Sequence, residues 1–460
     1  MEPTPRTDEQ QTERRAVGVP PRQRRMVAGG AIGTLMEYYD YYLYGLASAT
    51  VFPTVFFPES TATVGTLESF ATFAFGFLLR PIGGVLFGHV GDRMGRKKAL
   101  MMTVVGMGIV TAAIGLIPSA DSIGIAAPIL LLFFRMLQGL FVGGEMGGAA
   151  SLVIEHAPVG RRGLFGALLI SGAGVANVAS AGFMAALGIG SEQFFMTWGW
   201  RIPFLFALVL AVVAVVLRSR LEESEEFKEH ANLKAAQAKQ AEPGNQAKRE
   251  LPLKEVFRHP KNALLGILIG LPQSIAGYVI LTFGLAYMVS KGTQAQVGFI
   301  GTMIVGALQI FVAPLWGMLS DRIGRRRTYI GACVGFALLI YPTFALYQTD
   351  VAALIWLGMV VGFVIPGVAM QGTLQTMLAE MFDVEARTTG VNIGYQISNT
   401  LGGGFAPLIA AALTAAFDSV WPVVVYAAVI AVIGIVATAY ASLRPDVENA
   451  PRLADRPSGA

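Results

Sequence analysis

Twelve apolar stretches, most of them about 20 residues long, recur along this chain and limit its fold more than any other feature. A run of that length matches one helical crossing of a bilayer. The runs are continuous rather than alternating, which argues for helices and against a barrel. Candidate spans lie near 27–53, 66–89, 99–118, 128–156, 163–187, 201–218, 261–290, 296–319, 328–348, 352–381, 388–413 and 420–442. Only 14% of the 460 residues are charged, against about 25% in soluble domains. The 54 glycines suit helices that approach closely in lipid. An all-α membrane protein is expected.

Charge sets the orientation. Of 34 Lys and Arg residues, 30 fall in tails and loops that share one side of such a twelve-span chain. By the positive-inside rule that side is cytoplasmic, and both termini lie there. The basic balance therefore follows from topology and calls for no nucleic acid. The apolar run behind Arg25 is too long for a signal-peptide core, so it is expected to remain as the first span. The expected layout is a cytoplasmic tail (1–25), a six-helix half (26–218), a charged cytoplasmic loop (219–260), a second six-helix half (261–442) and a tail (443–460). One cysteine, Cys333, and four scattered histidines give neither a disulfide framework nor a metal site.

The two halves repeat. "GHVGDRMGRKKAL" (88–100) aligns with "GMLSDRIGRRRTY" (317–329), placing Asp92, Arg93 and Arg96 opposite Asp321, Arg322 and Arg325. Glu155 and Arg162 likewise align with Glu380 and Arg387. Gly95 and Gly324 permit a tight turn, and the two aspartates can cap a helix N-terminus or pair with arginine. Duplicated halves with a site between them are the layout of secondary transporters. These ten residues are expected to act as gates.

The loop pattern G-x-x-x-D-R-x-G-R-[KR]-[KR] resembles that of the major facilitator superfamily. So do "RMLQGLFVGG" (135–144), through Arg135, Gly139 and Gly143, and "EHAPVGRRG", through Glu155, Pro158, Arg162 and Gly163. Within it, "MEYYDYYLYG", "FLLRPIGGVLFGHVGDRMGRKK", "WGWRIPF" and "LEESEEF" resemble the metabolite:proton symporter family. That resemblance implies twelve transmembrane helices in two halves, the major facilitator fold. It also implies symport of a small organic acid or zwitterion with H+ across a bacterial inner membrane. No cofactor is expected beyond the proton gradient, and the carrier is expected to act as a monomer in the lipid bilayer. The chain departs from the family at Thr34, Tyr38 and Met146, where Asn, Trp and Trp are usual, positions expected near the pocket.

Buried charge carries the functional argument. A carboxylate at mid-bilayer costs about 2.5–3.5 kcal/mol or more, so intramembrane acids face an interior and pair there. Glu37, Asp40, Tyr41 and Tyr44 fall at i, i+3, i+4 and i+7, one helical face. Desolvation favours the neutral carboxyl and a nearby cation the ionised one, and such opposition suits a group that binds and releases protons. The family resemblance implies an Asp40–Arg135 pair; Glu37 and Glu145 are the other coupling candidates. Arg80 lies deep in the second span, and Pro81 after it leaves the Phe77 carbonyl without its helical donor. A guanidinium there suits a substrate carboxylate. Further contacts are expected from Tyr38, Tyr41, Asn177, Gln273, Tyr278, Gln309, Gln371, Gln375, Asn392, Tyr395 and Asn399. Pro272, Pro314, Pro366 and Pro407 are expected to interrupt the second-half helices beside the site.

Other functions fit less well. Efflux of drugs by antiport goes with G-P-x-x-G-G on the fifth helix, and "FGALLISGAGVANVASAG" lacks that proline. Efflux or uniport of a polyhydroxylated metabolite is the alternative. A sensor needs a cytoplasmic effector domain, and the central loop is too short. No Ser-His, paired-Asp or metal constellation supports an enzyme.

Overall fold

The computed structural model describes residues 21–144, 157–158, 160–219, 260–382 and 387–443. Both tails, Glu145, Glu155 and nearly all of the central loop lie outside them, as do the side chains of Asp92, Arg96 and Arg387. The first half contains α1 (Pro21–Thr50), α2 (Ala62–Leu78 and Arg80–Met94), α3 (Arg96–Leu116), α4 (Ala126–Gly143), α5 (Arg162–Gly188) and α6 (Arg201–Ser219). The second begins with α7 (Pro260–Gly277, continuing as Tyr278–Phe283 and Gly284–Ser290), α8 (Ala295–Ile323) and α9 (Arg325–Tyr347). It ends with α10 (Ala352–Met359, Val360–Val364, Pro366–Met381), α11 (Arg387–Ser398, Asn399–Gly404, Ala406–Phe417) and α12 (Trp421–Tyr440). This is the major facilitator architecture.

Eleven of the described helical stretches are long and apolar enough to cross a membrane. The remaining one, α1, has the length, but Glu37, Asp40 and five tyrosines lower its hydropathy. Those seven residues are all buried. Apolar side chains on the opposite, outer faces are open instead: Phe311 is 72% exposed and Leu338 69%. The bundle hides polar groups and shows apolar ones, as lipid requires.

Proline accounts for most of the helix irregularities, the π-helical segment Tyr278–Phe283 of α7 being the exception. A proline ring clashes with the carbonyl of residue i−4. Pro203, Pro366 and Pro407 place that position at Gly199, Gly362 and Gly403, each inside a π-helical segment. Pro81 places it at Phe77, where α2 breaks at Leu79. Pro272 and Pro314 behave differently from expectation. Regular α-helix continues through both.

The sequence repeat is also a backbone repeat. Gly95 and Gly324 alone separate their flanking helices, with φ/ψ of 95/141 and 95/148. That left-handed region favours glycine.

Candidate functional site

Glycine contacts between α2 and α4 build the site. A Cβ on Gly139 would lie 1.7 Å from the Gly76 carbonyl oxygen, and one on Gly143 would lie 1.9 Å from that of Arg80. The backbones touch, so Arg80 and Arg135 are carried into one buried centre, each 1% exposed. The R-x-x-x-G-x-x-x-G spacing thus positions charge through close packing.

Asp40 and Arg135 meet at 3.2 Å. Asp40 Oδ1 also accepts from Thr111 at 2.9 Å and from the Gln138 amide, and Arg135 donates to Gln138 Oε1 at 2.6 Å. The guanidinium lies over the rings of Tyr44 and Phe73, at 4.1 and 4.8 Å. Gln138 and Thr111 were not anticipated. Gln138 falls one turn after Arg135 on the same helix face, a usable signal; Thr111 gives none in sequence.

The single face expected for α1 divides in two. Asp40 and Tyr44 turn toward Arg135, inside the first half. Glu37 accepts a hydrogen bond from Tyr41. Tyr41 faces Arg80, whose guanidinium carbon lies 4.2 Å from that ring and 3.5 Å from the Phe77 ring. Helical residues three apart diverge by about 60°, enough to address different neighbours at a crowded helix. Arg80 therefore has aromatic faces on two sides, while its Nε and Nη1 are buried with no hydrogen-bond partner among the described residues.

The second half closes over this centre. Tyr38 and Tyr395 share a hydroxyl–hydroxyl hydrogen bond of 2.9 Å between α1 and α11. Thr400 donates to the Phe77 carbonyl at 3.2 Å, so the group freed by Pro81 is taken up across the halves. Tyr278 sets its ring against Phe73 and Phe77, at 5.5 and 5.9 Å. Gln309 Nε2 donates to Gln371 Oε1 at 2.7 Å, and Gln375 is buried one turn along α10. Gln273 Oε1, Gln309 Oε1 and both amide atoms of Asn177 are buried without partners among the described residues. Both amide atoms of Gln396, on the α11 face that also bears Asn392 and Asn399, are in the same condition.

Two further candidates lie on α11. The Asn399 amide donates to the Tyr395 carbonyl at 3.1 Å and accepts from Ser274 at 3.1 Å, joining α7 to α11. Asn392 is only half-buried, one turn into α11 from the end bearing the basic loops.

At the basic-loop end, Asp321 accepts from the backbone amides of Gly163 and Leu164, at 2.9 and 3.0 Å, capping α5. Arg325 holds Asp321 at 2.6 Å and Glu380 at 3.5 Å. Thr376 on α10 donates to the Arg162 carbonyl at 3.3 Å. Arg93 and Arg322 are exposed and take no part in this clasp among the described residues.

Fold and buried charges together define a class: a multi-pass secondary transporter of the major facilitator superfamily, and not an enzyme. The family model described as "Sugar (and other) transporter" matches residues 26–443, and the chain belongs to that family. It is 38% identical over 406 residues to the shikimate transporter of Escherichia coli K12, covering 87% of this chain and 90% of that protein. It is 36% identical over 420 residues to the glycine betaine/proline/ectoine/pipecolic acid transporter OusA of Dickeya dadantii, covering 90% and 82%. Among solved structures it is similar to a D-xylose-proton symporter, with TM-score 0.68, 18% identity, and coverage of 91% and 96%. Among the described residues no cluster of His, Cys, Asp or Glu is arranged to hold a metal.

Proposed function

We propose that this chain is an uptake carrier that moves a small organic acid or zwitterion together with a proton by alternating access. The observation that carries this reading is Arg80. It is a buried guanidinium with two unpartnered N–H positions, held between rings, a short way from the Asp40–Arg135 pair. A carboxylate at either donor would make a charge-assisted hydrogen bond and offset the buried charge. The solutes named for the two relatives, shikimate, betaine and pipecolic acid among them, are acids or betaines.

Charge balance supplies the coupling. Among the described residues the buried centre of the first half holds two carboxylates, Glu37 and Asp40, and two guanidiniums, Arg80 and Arg135. Counted with all four ionised, the empty centre is neutral. A proton on Asp40 alone leaves it at plus one, and an anion on Arg80 alone at minus one. Unbalanced buried charge costs several kcal/mol. For an acid cargo the centre with both bound is neutral again, so the empty and doubly loaded carriers are the ones that reorient; a zwitterion balances in the same way only if its cationic group lies outside this centre. Proton binding then tightens anion binding, and the reverse, by linkage.

The buried amide of Asn177 and the Gln273 Oε1 favour a cargo that also carries hydroxyl or other hydrogen-bonding groups. The test is uptake into proteoliposomes under an imposed pH gradient, with labelled shikimate, glycine betaine, proline and xylose. Gradient-driven accumulation of an acid or betaine supports the reading; accumulation of xylose alone would refute it. On this reading both termini and the clasp loops face the cytoplasm of a bacterial cell.

A further inference from the structure

Beside Asp40 lies a small, partly open cavity of about 10 Å³ bordered by α1, α3 and α6. Met36, Tyr39, Asp40, Met107, Thr111 and Ala207 line it, all of them nearly fully buried. That volume matches the lower limit for one water molecule, which also needs two or more polar partners.

Two partners are present. A carboxylate has about four acceptor sites. Asp40 Oδ1 already accepts from Thr111 and Gln138, and Oδ2 accepts from Arg135, which leaves one site on Oδ2. The Thr111 oxygen donates to Asp40 and accepts from Gln138, which leaves it one acceptor site. The other groups around Asp40 do not compete for the cavity. Tyr39 donates to the Pro203 carbonyl, Arg135 and Gln138 approach from α4, Glu37 bonds with Tyr41, and α6 contributes apolar side chains.

We propose that this cavity holds a single water through which Asp40 exchanges its proton, on a path inside the first half and separate from the substrate cavity. A hydronium arriving there gives one proton to Oδ2. The carboxylate becomes a carboxyl, the hydronium becomes water, and release runs the same exchange backward. Substrate and proton then reach adjoining groups by different doors. The two can be bound together without either blocking the other's route. This inference rests on the assignment of Asp40 as the proton-binding group.

Met36 and Met107 make the water visible. Brief X-ray radiolysis of the full-length carrier in nanodiscs, in oxygen-18 water, oxidises methionines that touch water. Met36 and Met107 are 4% and 2% exposed and would otherwise stay unlabelled. They are expected to take up label at rates approaching that of exposed Met94, which lies beside the basic loop at the end of α2. Their remaining unlabelled would overturn the proposal.

Filling the cavity tests its role. Ala207→Val, with Leu210→Phe as a second filling variant should the first fail to fold, is expected to remove the label. Proton-driven accumulation of the best cargo should fall about tenfold, while counterflow, which needs no net proton movement, stays within about twofold of wild type. A variant that loses the label and accumulates normally, or loses accumulation with the label intact, would also overturn it. Asp40→Asn run in parallel separates the two claims. Normal proton-driven accumulation by that variant removes Asp40 itself, whereas its loss beside a normal Ala207→Val removes only the water.

Discussion

The Phe77 ring lies directly against the Arg80 guanidinium, with 3.5 Å between the ring centre and Cζ. The same ring is 5.7 Å from the guanidinium carbon of Arg135. Two like charges thus share one aromatic neighbour, whose π-face attracts each of them. Thr400 of α11 holds the Phe77 carbonyl, so the residue between the two cations is also a contact between the halves. An event at either arginine is one residue away from the interface that must open.

Arg80→Lys keeps the charge but loses the planar fork. Losing a charged hydrogen-bond contact costs about 1.5–3 kcal/mol, or roughly 10- to 150-fold in affinity. Binding of an acid cargo should weaken by that order, and Arg80→Gln should weaken it further. A carboxyl-amidated analogue should lose much less in either variant. Equal losses for acid and amide, measured on folded protein, would make Arg80 a structural residue.

Asp40→Asn imitates the protonated carboxyl at every pH. Concentrative uptake should be abolished, and counterflow should persist at least in part. Linkage gives the sign for affinity: wild-type Kd should tighten as pH falls, because proton and anion favour one another. The variant should hold its tighter Kd with little pH dependence. Equilibrium binding titrations across pH check this, and a variant that retains the wild-type slope would move the coupling to another group.

How much of this is legible in sequence depends on the kind of contact. The spans are legible because lipid imposes length and hydropathy on each helix separately. The repeated loop is legible because its turn needs glycine, and Gly95 and Gly324 do carry the same positive φ. The partners of Asp40 are only half legible. Gln138 follows from helical spacing beside Arg135, but Thr111 reaches Asp40 from a helix 71 residues away. Asn399 shows a different limit, since an amide written into a span reads alike whether or not it joins two helices, as Asn399 joins α11 to α7 through Ser274.

Gly139→Ala should destabilise the protein severely. The new Cβ would sit 1.7 Å from the Gly76 carbonyl oxygen, a backbone atom with no rotamer to escape into. Overpacking of side chains costs about 1–3 kcal/mol, and a backbone clash should reach the top of that range or exceed it. Gly88→Ala is the control, because nothing lies within 4 Å of its Cβ position. Thermal melts in detergent should show a large fall in Tm for the first variant only. Equal melts would mean that α2 and α4 can separate without loss, and that the arginines are placed by something else.

Asp321→Asn tests the clasp. The wild-type carboxylate caps α5 through two amides while pairing with Arg325, so it ties the first half to the second at one end of the bundle. An asparagine oxygen can keep one of those amide bonds, but its NH2 cannot accept the other and the charge on Arg325 loses a partner. Favourable charge at a helix N-terminus is worth about 0.3–1 kcal/mol, and a hydrogen bond to a charged group about 1.5–3 kcal/mol. Closure at this end weakens by that amount, which shifts the conformational equilibrium and slows the cycle. The cargo site, built from Arg80 and its aromatic neighbours, includes none of these groups. Vmax should therefore fall several-fold with KM nearly unchanged, and exposed Arg322→Gln should change neither. A large rise in KM at constant Vmax would show that Asp321 acts on cargo binding and not on the gate.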